Sequence, residues 1–227
     1  MLCPTTFDFA GFVVCARTLG ADHVHFKTAG GIQTKKFPAQ RAWARYNEIL
    51  LGLTGLAGMT HSKGPEEGGI APMFHFGTVE ALYKELGRIW KFPLIEGERG
   101  YITVTKRDSF RYRERNSSVH WKEFIKASKR RVVVLEEAEF NPMPFPERMK
   151  LYSNAEMNYF VNNGPMTLCT FSEAPYRIFN MAPSNEMKEH YRKTGFPEGS
   201  QFSFRNERQE ILWKPDTLEN LMAHIDD

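Results

Sequence analysis

At 227 residues, with 41% hydrophobic and 13% aromatic content, the chain is long enough to bury a core and lacks the composition of disorder. Its net charge of +3 is too small to argue for a nucleic-acid surface over the whole chain. Three widely separated cysteines, Cys3, Cys15 and Cys169, form no CxxC or Cys/His cluster, so zinc and a disulfide framework are not indicated and a reduced, cytoplasmic setting is expected.

The opening MLCPTTFDFAGFVV has no basic leading segment, and Asp8 interrupts its apolar run, which argues against a signal peptide or a membrane span. Phe9, Phe12, Val13 and Ala16 follow helical spacing, with Thr6 as cap, Asp8 in the first turn and Leu19-Gly20 at the end. His23 to Phe26 reads as a short strand, and His23 and His25 lack a third partner for a metal. Gly30-Gly31 reads as a turn. Over 39–56 the stripe Trp43, Tyr46, Leu50, Leu53 predicts a helix.

Residues 58–72 carry four glycines and two prolines and read as a loop or lid, with His61 and Lys63 as the side chains able to reach a ligand. A short strand is expected over 74–76. A helix follows over 78–90, capped by Thr78, with Val79, Leu82, Leu86 and Ile89 facing inward. The stretch KFPLIEGERG (91–100) is a connector. It divides the chain into an N-terminal α/β lobe (1–95) and a C-terminal lobe (96–227).

The stretch from Tyr101 to Glu139 organises the second lobe as strand, basic loop, helix and apolar strand, the strands falling at 101–105 and 131–137. Asn116, Ser117 and Ser118 are candidate caps of the helix, and Val119, Phe124, Ile125 and Ala127 are expected on its inner side. In the loop, Lys106, Arg107, Arg111, Arg113 and Arg115 stand against Asp108 and Glu114, a surplus equal to the net +3 of the whole chain. Positive charge at the carboxyl end of a strand, beside a helix start, is where open α/β sheets bind anions. Arginine suits phosphate oxygens through bidentate contacts. A solvated loop neutralised by Asp108 and Glu114 is the plain alternative.

Farther along, 141–146 (NPMPFP) reads as a stiff loop and 154–163 as a short helix ended by Asn163-Gly164-Pro165. Strands are expected over 166–171, 176–181 and 209–213, and helices over 185–195, capped by Ser184, and over 215–225. This alternation predicts an α/β fold of Rossmann-like parallel sheets flanked by helices. Ser172 and Glu173, read as following a strand, are then candidates to face the same cleft as the arginines. No GxSxG, Walker A or GxGxxG pattern occurs, and Cys15 and Cys169 read as structural.

The segments VTKRDSFRYRERNSSVHWKEFIKA and VVVLEE, the Asn163-Gly164-Pro165 stretch and SEAPY together resemble the C-terminal half of a GT-B glycosyltransferase, unusually short, over roughly residues 101–181. The resemblance implies two small lobes facing a cleft and transfer of a sugar from a nucleotide-sugar donor to an acceptor hydroxyl. It also implies that Lys106, Arg107, Arg111, Arg113, Arg115, Asn116, Ser117, Gly164, Ser172 and Glu173 line the donor site. The arginines would neutralise the leaving diphosphate. Asp8, His25 and His61 are alternatives for the base. No metal and no cofactor are implied. A non-catalytic nucleotide- or phosphate-binding module is the competing expectation. A nucleic-acid binder, stacking bases on Phe110, Tyr112 and Trp121, is a weaker one.

Overall fold

The structure is a computed structural model that describes residues 9–29, 55–56, 58–64, 76–106, 118–136 and 143–225. Helix α1 (Phe9–Thr18) and strand β1 (His23–Ala29) open the described chain, and Gly20 between them takes φ +87°, the left-handed turn a helix C-terminus favours. β1 pairs in parallel with β2 (Gly58–Gly64), so the first part of the segment expected to be a loop or lid is instead a strand. Gly30-Gly31 and the expected helix over 39–56, apart from its last two residues, lie outside the described residues.

Helix α2 (Phe76–Leu86) starts two residues before the expected cap, so Thr78 lies within it, and Phe76 belongs to a helix rather than a strand. Ile89 and Trp90 follow the helix, and Leu86 is exposed. The connector 91–100 has no regular structure, as its prolines and glycines predict.

The second half is a doubly wound sheet. Strands β3 (Tyr101–Lys106), β4 (Arg131–Glu136), β5 (Met157–Val161), β6 (Tyr176–Phe179) and β7 (Gln209–Ile211) lie in the order β4-β3-β5-β6-β7, every neighbouring pair parallel. Helices α3 (Ser118–Ala127), α4 (Phe145–Asn154), α5 (Met166–Thr170), α6 (Asn185–Lys193) and α7 (Leu218–Met222) follow the strands in turn.

Strand side chains alternate between faces, and both faces are covered. Ile102, Val104, Met157, Tyr159 and Val161 pack with Trp121 and Phe124 of α3 and Leu221 of α7. Leu135, Phe160, Tyr176 and Ile178 pack on the opposite side with Met149 and Tyr152 of α4 and Leu168 of α5. Ala10, Val13 and Val14 of α1 and Val79 of α2 belong to that same buried cluster, so residues from both sides of the 95/96 division share one core. The approach of α2 is close: a Cβ on Gly77 would lie 1.9 Å from the Thr194 carbonyl oxygen at the end of α6.

Several local expectations are overturned. The segment expected as a helix over 154–163 contains β5, an interior strand with all five residues buried. The segment expected as a strand over 166–171 is α5. Residues 145 and 146 of the expected stiff loop begin α4, whose first turn tolerates Pro146 because an N-terminal amide has no intrahelical acceptor. Val119 is 65% exposed, and Trp121 takes the buried place on α3. The last helix is capped by Thr217, whose side chain accepts from the Asn220 amide.

Candidate functional site

The strand order identifies one special place on the sheet. From β3 the chain moves to β4 on one side, then returns past β3 to β5 on the other. The connections leaving β3 and β5 therefore diverge, and the carboxyl ends of these two strands form the switch point at which open α/β sheets hold ligands.

Two asparagines secure the β5 side. After Val161, the Asn163 side chain donates to the Thr105 carbonyl oxygen of β3 (3.4 Å) and accepts from the Met166 amide at the start of α5 (3.1 Å). Asn162 donates to the Met181 carbonyl beyond β6 and to the Tyr191 hydroxyl on α6 (2.7 Å). Both asparagines are buried, so each bond is formed away from competing water. The Gly164 carbonyl accepts from the Thr167 amide (3.1 Å) and hydroxyl (2.8 Å).

On the β3 side, the Thr105 hydroxyl lies 2.9 Å from the Tyr152 hydroxyl of α4, and Arg148 donates through Nη1 to that same phenol at 3.2 Å. The phenol satisfies both bonds by accepting from Arg148 and donating to Thr105. Burial pushes the Tyr152 phenol up to about 12, against the opposing charge of Arg148 and its hydrogen bonds with Thr105 and Arg148. It is therefore neutral at ordinary pH and supplies Arg148 with no counter-charge. Arg148 itself is 2% exposed. Among the described residues it has no carboxylate partner and makes this one side-chain hydrogen bond.

The residues singled out from sequence fall into three groups. Lys106, as the last residue of β3, and Gly164, just beyond β5, lie at this carboxyl edge. Asp8, Arg107, Arg111, Arg113, Arg115, Asn116 and Ser117 lie outside the described residues. The backbones of His25 and His61 sit on the paired strands β1 and β2, one register position apart.

Ser172 and Glu173 are a correction. Because α5 and not a strand precedes them, they come just before β6 and stand at the amino edge of the sheet, opposite Lys106 and Gly164. Ser172 turns the chain there, donating to the Cys169 carbonyl (3.2 Å) and accepting from the Ala174 amide (3.1 Å). Glu173 accepts from Lys91 Nζ (2.6 Å) and Asn206 Nδ2 (2.9 Å). Partial burial opposes its ionisation, but the bonds from Lys91 and Asn206 and the Lys91 charge outweigh this and hold its carboxyl below the ordinary range. These two residues tie the connector to the sheet and do not lie at the carboxyl edge.

A second polar cluster at the carboxyl edge is internally satisfied. Asp216 accepts from Trp121 Nε1 (2.8 Å) and from Asn180 Nδ2 (3.2 Å), and Asn180 reaches it from a left-handed backbone conformation, φ +50°.

The residues missed from sequence are Arg148 and Tyr152. Phe145, Arg148, Met149 and Tyr152 fall at i, i+3, i+4 and i+7, all buried. An arginine on an otherwise apolar helical stripe is the signal that could have found them.

No described helix is long and apolar enough to cross a membrane. Comparison with known protein families, curated proteins and solved structures finds no match.

Proposed function

We propose that this chain binds a phosphate-bearing nucleotide at the carboxyl edge of its five-stranded sheet, between the ends of β3 and β5. The observation that carries the reading is the strand order, which puts the switch point of the sheet at the carboxyl end of β3, where the chain enters its basic loop. That loop opens with Lys106 and contains Arg107, Arg111, Arg113 and Arg115. Cations of this density neutralise a diphosphate, and guanidinium forks match its oxygens in pairs.

The reading extends to sugar transfer from a nucleotide-sugar donor, the reaction implied by the GT-B resemblance. Support for that extension comes from Asn163-Gly164, the part of the resembling stretch that lies at this edge. The arginines would stabilise charge developing on the leaving diphosphate. Asp8, His25 and His61 are the candidates for a base toward the acceptor hydroxyl.

Thermal unfolding with a panel of nucleotides and nucleotide sugars tests the reading. A ligand present at about 100 times its dissociation constant adds about 2.7 kcal/mol of stability. Stabilisation by one nucleoside diphosphate class, lost in Arg111→Ala, is the expected result. An unchanged midpoint with every nucleotide would overturn it.

A further inference from the structure

We propose that Arg148 is the buried anchor of this site, and that a phosphoryl group of the ligand is the counter-ion it lacks among the described residues. This inference rests on the nucleotide-binding reading and adds a residue outside the basic loop.

The geometry directs the guanidinium to the right place. Arg148 is the fourth residue of α4, and helical side chains lean back toward their own N-terminus. That N-terminus follows β4, whose carboxyl end borders β3. The contacts agree with this direction. Arg148 reaches Tyr152, Tyr152 reaches Thr105 near the end of β3, and Thr105 is bridged to β5 by Asn163. Three short links thus join the guanidinium to the divergence of β3 and β5.

The energetics set Arg148 apart from a packed structural arginine. Removing a cation from water costs several kcal/mol, and buried charges are ordinarily paired. Two partly buried cations of this protein have carboxylate partners, Lys91 with Glu173 and Arg130 with Glu156, while Arg17 donates to the Ala21 carbonyl and lies over the Trp90 ring. Among the described residues Arg148, more deeply buried than any of these, has only a neutral phenol. Its neighbours on the helix, Glu147 and Lys150, are exposed. A fork of five donors with one bond made among the described residues suits the bidentate capture of a phosphate, and tight burial multiplies the strength of that contact.

The test uses pyrophosphate and inorganic phosphate as probes, with acetate at matched ionic strength as the carboxylate control, on the full chain. Binding is read by calorimetry and by thermal shift in wild type, Arg148→Met, Arg148→Lys and Arg111→Ala. The expected result is that pyrophosphate stabilises wild type and acetate does not. Arg148→Met should unfold at or above the wild-type temperature without ligand, because an uncompensated charge is gone, and should lose the pyrophosphate shift. Arg148→Lys, which keeps the charge but not the fork, should bind at least tenfold more weakly. If Arg148→Met does not fold, the lysine variant decides: wild-type affinity there overturns the proposal. Loss of binding in Arg111→Ala with both Arg148 variants binding normally overturns the anchor and leaves the nucleotide site standing. Equal stabilisation by acetate overturns the choice of phosphate. Absence of pyrophosphate binding by wild type overturns the anchor and the site together.

Discussion

Asn158 occupies the middle of an interior strand with no exposure, where a polar side chain is tolerated only if its hydrogen-bonding capacity is filled. Its amide nitrogen donates to the Tyr152 carbonyl (2.9 Å) and the Pro175 carbonyl (2.8 Å), and its oxygen accepts from the Thr103 hydroxyl (2.6 Å). Asn158→Leu strands these partners in a dry interior, at about 1–3 kcal/mol for each group left unsatisfied. A denaturant titration is expected to show a loss of at least about 2 kcal/mol, with part recovered on adding Thr103→Val because both ends of one bond are then apolar. Gly77 is decided by space instead. A methyl group there meets the Thr194 backbone carbonyl at 1.9 Å, so Gly77→Ala must move α2 off α6. Overpacking of this kind costs about 1–3 kcal/mol, and an unchanged unfolding midpoint would show that the two helices are free to separate.

Elements with strong local signals were legible in the chain. α6 was expected from Ser184 onward, and the Ser184 hydroxyl does accept from the Met187 amide at 3.2 Å. Ser184→Ala is expected to lower stability by about 1 kcal/mol, while Ser184→Asp, which keeps an acceptor, holds the wild-type unfolding midpoint. The strands β3 and β4 and the helix between them were equally clear, because a β-branched run, a polar break and an amphipathic decade follow one another. Misreadings cluster over 145–171. There β5 carries Asn158 within an apolar run, α5 has only five residues, and α4 follows Pro144 and carries Pro146 in its first turn. Short apolar runs have no period long enough to separate helix from strand. Exchanging the identities of β5 and α5 was enough to send Ser172 and Glu173 to the wrong edge of the sheet.

On the scale of the molecule, the segment before the connector and the sheet after it share a buried cluster, and burial keeps four weak acids of that cluster neutral, Cys15, Tyr152, Cys169 and Tyr176. Burial pushes the Cys15 thiol from 9.0 up to about 12. It pushes the Tyr152 phenol from 10.0 to about 12 as well. The unfolded chain releases these protons at lower pH than the folded one. Their contribution to stability is therefore complete below about pH 9 and declines as pH rises toward about 12. The unfolding temperature, followed from about pH 8 to about pH 11, is expected to fall, and to fall less steeply in Cys15→Ala, which removes one of these groups. Equal slopes for wild type and variant would rule Cys15 out as a contributor. The sequence by itself determined the α/β class, the parallel pairing of β3 with β4 and the concentration of cationic charge after β3. These depend on composition, on period and on neighbours close along the chain. Only the tertiary structure decided which strand borders β3 on its other side, which edge each loop reaches and that Arg148 is buried with no carboxylate partner among the described residues. Those facts depend on contacts between residues tens of positions apart, and no local pattern encodes which distant group will stand opposite a given side chain.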